Sequence, residues 1–150
     1  MQLTFFTDYS LRVLMHLSKH NKGLCTVKEI SEILCLSRNH LVKVVHNLVC
    51  LGYVESAKGR NGGIRLALSP EKINLSKLIF ELEPNFNLTE CYDKKRNTCQ
   101  MLSICGLKNI LNEALISFLK TLEGYSLADT IQPSSSNFKK IRTIINNSNS

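Results

Sequence analysis

Two apolar stripes at helical spacing, separated by only two residues, constrain this chain more than any other feature. Thr26 is followed by Glu29 at the spacing where a hydroxyl and a carboxylate cap one helix start together, and Val27, Ile30, Ile33 and Leu34 form a short apolar face. This helix is expected to end near Cys35. Leu36 and Ser37 then lead into Leu41, Val44, Val45, Leu48 and Leu51, with Ser37 placed to cap the second stripe. Two short helices on so tight a turn bury their faces by crossing, which is the helix-turn-helix arrangement.

The face left over on the second of these helices offers Arg38, Asn39, His40, Lys43, His46 and Asn47, all able to hydrogen-bond and none acidic. Arg pairs with guanine and Asn with adenine in the major groove, whereas Lys43 suits a phosphate. Arg38 to His40 occupy the first turn after the Ser37 cap, the part of a recognition helix that points at base edges, and Ser37 is a further candidate DNA contact. An ordinary solvated helix face would carry the same residue types, so the next segment matters. Tyr53, Val54 and Glu55 run through Lys58, Gly59, Arg60, Asn61, Gly62 and Gly63 into Ile64, Arg65 and Leu66. This reads as a β-hairpin with a cationic, glycine-rich tip, in which Asn61-Gly62 is expected to supply the positive backbone dihedrals. Its Arg60 can enter a narrow groove of negative potential, with Lys58, Asn61 and Arg65 beside it. The loop lacks the G-x-x-x-x-G-K-[ST] pattern and the strand-to-helix setting of a nucleotide cradle. The expected architecture is mainly α with a small β-hairpin wing, a winged helix-turn-helix followed by a long dimerisation helix.

Charge supports that reading. Residues 1–80 hold 11 basic and 5 acidic side chains, and residues 81–150 hold 8 and 7, so the excess of +6 against +1 lies on the half with the helix pair and hairpin. A cationic field there attracts phosphates, although a net charge for solubility alone would give the same pI of about 9.2. There is no apolar run of transmembrane length, and the opening residues pass directly into Thr7 and Asp8 without a signal-peptide pattern. A cytoplasmic protein is therefore expected, with thiols or metal ligands in place of disulfides and no membrane partner. At 150 residues the chain has room for one modest core and little for an enzyme pocket, and it pairs no catalytic base with a nucleophile.

A first helix is expected from about Thr7, with Leu11, Leu14, Met15 and Leu17 on one face and Asp8 one turn before Arg12. His16 and His20 stand at a metal-ligand spacing on it, but no carboxylate lies between them and no third ligand is near in sequence. After Pro70, a helix capped by Asn74 is expected to run to Glu83, where Pro84 stops it. Residues 1–83 thus form the expected DNA-binding domain.

The stretch from Asn85 to Ser103 is too polar for a core, yet the loop of residues 84–105 contains Cys91, Cys99 and Cys105. Buried cysteine is the common case, but three in a loop of this composition can instead converge on a soft metal centre. Structural zinc usually takes four ligands, often in closer pairs, and a disulfide switch needs only two of the thiols. An iron-sulfur cluster suits three thiolates but also needs a fourth ligand. Cys25, Cys35 and Cys50 are expected to be structural. Beyond the loop, Leu107, Ile110, Leu111, Ala114, Leu115, Phe118, Leu119 and Leu122 form an apolar stripe of nearly five turns. Residues 106–131 are expected to make a dimerisation helix and cap. The resulting homodimer would match two-fold symmetric double-stranded promoter DNA with half-sites about 34 to 36 Å apart. The Ser- and Asn-rich residues 132–150 are expected to be a flexible tail.

Five segments together carry a resemblance: MQLTFFTDY at 1–9, LSRNHLVK at 36–43, GRNGGIRL at 59–66, ELEP at 81–84, and the three cysteines of the loop. The chain resembles the NsrR-type nitric-oxide-sensing repressors, part of a family of dimeric winged-helix regulators that also includes the iron-sulfur assembly regulator IscR. The resemblance covers about residues 1–131. It implies a repressor that holds a [2Fe-2S] or [4Fe-4S] cluster, binds promoters of nitrosative-stress genes and releases them when nitric oxide reacts at the cluster. It further implies Cys91, Cys99 and Cys105 as cluster ligands, with Asp8 of the partner subunit as the fourth. IscR-like members have a histidine where this chain has Lys108, which favours the NsrR branch. The alternative is a cluster-status or thiol-redox regulator similar to IscR in use.

Overall fold

The computed structural model describes residues 2–20, 23–60, 62–101 and 104–131. The chain order is α1 (Phe5–Lys19), α2 (Val27–Ile33), α3 (Arg38–Cys50), β1 (Val54–Ala57), β2 (Gly63–Leu66), α4 (Leu75–Leu82) and α5 (Leu107–Glu123). Short 3-10 turns at Pro70–Lys72, Glu90–Tyr92 and Ala128–Thr130 interrupt the connections. The fold is mainly helical with one two-stranded antiparallel hairpin, as expected.

Helix α1 starts earlier than expected. Its cap is Thr4, whose hydroxyl accepts from the Thr7 amide at 3.2 Å, while Thr7 is fully buried inside the helix. The Glu83 carboxylate at the end of α4 accepts from the Thr4 amide at 2.8 Å and from its hydroxyl at 3.2 Å. The two ends of residues 4–83 are therefore tied together where the cysteine loop begins. Helix α2 has the full reciprocal cap: Glu29 N–H donates to Thr26 Oγ1 at 3.2 Å, and Thr26 N–H donates to Glu29 Oε2 at 2.8 Å. The Thr26 amide and the Thr26 hydroxyl, both donating to the Glu29 carboxylate, hold it below its ordinary pKa. Ser37 occupies the cap position of α3 but makes no side-chain cap bond.

Packing follows the sequence stripes. Val13, Leu14 and Leu17 of α1, Ile30 of α2, and Leu41, Val44 and Leu48 of α3 are essentially inaccessible to water. They form one core with Val54, Ile64, Ile73 and Leu78. The hairpin pairs Val54 with Leu66 and Ala57 with Gly63, and Ile64 also forms a bridge with Cys25. That bridge, with bonds of 2.8 and 3.0 Å, attaches the wing to the segment before α2. Gly63 allows this approach, because a Cβ there would lie 2.8 Å from the Cys25 carbonyl oxygen.

The hairpin tip is a five-residue loop, 58–62, and not a tight two-residue turn. Among the described residues of this loop the positive dihedral falls on Gly59, at φ 113°, and not on Gly62, whose amide closes back on the Gly59 carbonyl at 3.0 Å. Asn61 lies outside the described residues, as do residues 132–150. After α5 the chain returns to the core: Leu127 is fully buried, and its amide donates to the Ile73 carbonyl at 2.8 Å. Helix α5 packs along α4 yet has no buried residue of its own.

Candidate functional site

The α3 face is built by its own periodicity. Leu41, Val44, Val45 and Leu48 point inward, which leaves Ser37, Arg38, Asn39, His40, Lys43 and His46 exposed. His40 stacks obliquely on Tyr9 of α1, with ring centroids 6.4 Å apart, so it is partly committed to packing. Asn47 turns away from the others: it is half-buried, and its Oδ1 is enclosed without a partner among the described residues. The sequence reading missed Val42, which lies 51% exposed amid this polar face. An apolar residue there can contact a thymine methyl, and its place outside the Leu41, Val44, Val45 and Leu48 stripe was the available signal.

On the wing, Lys58 and Arg60 are exposed, and no described carboxylate pairs with either. Arg65 is different, because its guanidinium is paired with Glu55 directly across the hairpin. It braces the strands while remaining exposed. The wing root is fixed by a 2.6 Å bond from the Tyr53 hydroxyl to Glu81 of α4. Burial raises the Tyr53 pKa, with the Glu81 bond adding to the effect, so this phenol stays a donor.

Cys91, Cys99 and Cys105 are all free and half-buried. Cys91 sits in the Glu90–Tyr92 turn with its sulfur 3.0 Å from Thr89 Oγ1. The Cys99 amide donates to Asn97 Oδ1 at 3.1 Å, and Cys105 stands immediately before Gly106, the cap of α5. Lys108 has a clear part in this loop. Its ammonium donates to the Cys91 carbonyl at 3.2 Å and lies 5.5 Å from the centre of the Tyr92 ring. The Tyr92 hydroxyl in turn donates to the Lys108 carbonyl at 3.3 Å. The loop is thus pinned to the first turn of α5.

Asp8 is half-buried on α1 and paired with Arg12, with separations of 2.7 and 3.0 Å. It does not join the loop thiols: among the described residues, no three His, Cys, Asp or Glu side chains gather around a common metal position. The donor types nevertheless fit a soft metal centre, since three free thiols share one loop and can become thiolate ligands. His16 and His20 stack with centroids 4.5 Å apart, and desolvation by burial, with the charges of His20 and Lys19, lowers the His16 pKa. Of the three cysteines expected to be structural, Cys25 supports the bridge to the wing. Cys35 and Cys50 are exposed, and Cys35 adopts φ 52° at the corner after α2.

Residues 3–133 match the Rrf2 family, described as iron-dependent transcriptional regulators. The chain belongs to the Rrf2 family. Among its Rrf2 relatives, the transcriptional regulator NsrR of Bacillus subtilis is 47% identical over 133 residues, spanning 88% of this chain and 91% of the relative. NsrR of Bacillus licheniformis is 48% identical over 132 residues, spanning 87% and 92%. Among solved Rrf2-type folds, T. potens IscR superposes with a TM-score of 0.69 at 23% identity, covering 87% of this chain and 86% of that one. CymR of B. subtilis gives 0.65 at 23% identity, covering 87% and 96%. The structural matches establish the winged-helix fold, and the sequence relatives establish a transcriptional regulator and not an enzyme. No helix among the described residues is long and apolar enough to cross a membrane.

Proposed function

We propose that this Rrf2 member is a nitric-oxide-responsive repressor that works as a homodimer on two-fold symmetric promoter DNA. The observation that carries the reading is the coexistence of an exposed, non-acidic α3 face with three free thiols in one loop anchored to α5. In this reading Arg38 and Asn39 meet base edges, Ser37 and Lys43 meet phosphates, and Lys58 and Arg60, with Asn61 of the same loop, serve the neighbouring groove. Arg65 supports the wing through Glu55 and would have to exchange that partner to hold a phosphate.

Cys91, Cys99 and Cys105 would hold an iron-sulfur cluster, either [2Fe-2S] or [4Fe-4S], with Asp8 of a second copy as the remaining ligand. When bound, the cluster supplies iron that reacts with nitric oxide. The protein's part is to connect that site to α1. Asp8 has two mutually exclusive partners in this scheme, Arg12 on its own helix and the cluster on the other copy. The Asp8–Arg12 pair, at 2.7 Å, shows that the first of these partners lies within reach. Releasing Asp8 to Arg12 frees α1 from the neighbouring subunit, and with it the spacing between the two α3 helices. Allosteric coupling of about 1 to 3 kcal/mol corresponds to roughly 5- to 150-fold in affinity, sufficient to release a promoter.

Selection from a random duplex pool, using anaerobically reconstituted protein, tests this reading. An inverted repeat with half-sites about one duplex turn apart should be enriched and then released by nitric oxide. Retention of the selected duplex after exposure to nitric oxide would contradict it.

A further inference from the structure

Helix α3 carries a second thiol chemistry, separate from the loop. His46 and Cys50 are one helical turn apart, both exposed, with Cys50 Sγ 3.8 Å from His46 Nδ1. That is long for a hydrogen bond but suits a shared metal. Zinc–sulfur and zinc–imidazole bonds of about 2.3 and 2.0 to 2.1 Å, meeting at about 110 to 120°, place the two donor atoms about 3.6 to 3.8 Å apart, and a three-coordinate Cu⁺ completed by solvent has the same bond angle. The pair therefore meets the spacing of a chelate without moving either side chain.

We propose that His46 and Cys50 form a two-donor site for a soft, thiophilic metal ion, Cu⁺ above all, on the face that reads DNA. The donor set selects the ion: thiolate with imidazole favours Cu⁺ or Zn²⁺ over hard oxygen-seeking cations. A closed structural zinc site needs four protein ligands, and among the described residues no third His, Cys, Asp or Glu joins this pair. An ion content with few ligands fits better and remains exchangeable. Binding replaces the Cys50 thiol proton, which passes to buffer, with a metal–sulfur bond; no electron is transferred. His46 coordinates through Nδ1 and keeps its proton on Nε2.

The site's position gives it a consequence that rests on the DNA-binding reading of α3. Asn39, Lys43, His46 and Cys50 follow one exposed stripe, so an ion with its solvent ligands on the last two occupies space where duplex DNA would lie. Metal and DNA should exclude one another, and the coupling must be reciprocal.

Silver ion serves as an air-stable, diamagnetic stand-in for Cu⁺, added in nitrate buffer while the His46 ring resonances are followed by NMR. This readout separates the α3 site from the loop thiols, which also bind silver. The His46 resonances should shift during addition of the first equivalents. In C50S the affinity read at His46 should fall by more than about 100-fold, beyond what loss of an outer partner costs. Unmoved His46 resonances while the other thiols titrate, or the same shift in C50S, would overturn the site. A parallel titration with a mixed-sequence duplex at low salt tests the coupling. If silver binds His46 equally well with DNA present, mutual exclusion is wrong while the site stands. If the duplex itself leaves the α3 resonances untouched, the DNA-binding reading of α3 is what fails.

Discussion

Asp8 and Arg12 show how little energy separates the two states of the proposed sensor. Their ion pair lies on an exposed helix surface at i, i+4 spacing, where such pairs contribute about 0.2 to 0.5 kcal/mol. Drawing Asp8 away to an iron ligand position therefore costs little. Asp8→Ala should shorten the lifetime of the bound cluster with three thiol ligands still in place; unchanged cluster loss and nitric oxide response would remove Asp8 from the account. Arg12→Ala should prolong it, with a change in folding stability below about 0.5 kcal/mol. Arg60 is the residue-scale test of the wing. Arg60→Ala should weaken DNA binding across sequences and reduce the salt slope by about 0.9, measured by titration at several salt concentrations. An unaltered slope would place Arg60 away from phosphate. Arg65, similar to Arg60 in sequence, already has a carboxylate partner across the hairpin, and a cross-strand register is hard to read before the turn length is known.

At the scale of elements, most of the fold was legible because local signals and burial agree. The Thr26–Glu29 cap, the inward stripe of α3 and the Asn74 cap of α4 are each specified within a few residues. Errors arose where distant contacts decide. Helix α1 begins at Phe5, capped by Thr4, and Glu83, 79 residues away in sequence, secures that threonine. The hairpin loop is wide, and among its described residues Gly59 and not Gly62 has the positive dihedral, because Gly63 is consumed in the strand facing Cys25. Gly63→Ala should therefore destabilise the fold by about 1 to 3 kcal/mol through overpacking against the Cys25 backbone, as read from the urea midpoint. A wild-type midpoint would mean that the wing is not fixed through this bridge. The loop cysteines were legible as a group by composition, but Lys108 was not legible as their anchor. Its role depends on the chain folding back so that its ammonium meets the Cys91 carbonyl.

For the whole molecule, α5 and the cysteine loop pose the same question. Ile110 and Ile116 on α5 are 63% and 56% exposed, and Leu107 and Ile104 just before them are exposed as well. Ile116 lies outside the stripe drawn from sequence, so the open apolar surface is broader than periodicity suggested. A second copy of α5 would cover it, and Ile110→Asp should shift the protein from dimer to monomer in sedimentation without unfolding the winged core. An unchanged sedimentation coefficient would place the dimer contact elsewhere. Dimerisation would also bring a second Asp8 toward the loop, completing a donor set that one chain does not assemble. The central claim is that this loop holds an iron-sulfur cluster that answers to nitric oxide. The most direct measurement is the visible spectrum, with iron and sulfide content, of protein purified without oxygen, before and after nitric oxide is added. The account predicts a brown, sulfide-containing protein bleached by stoichiometric nitric oxide; a colourless protein after attempted reconstitution would contradict it.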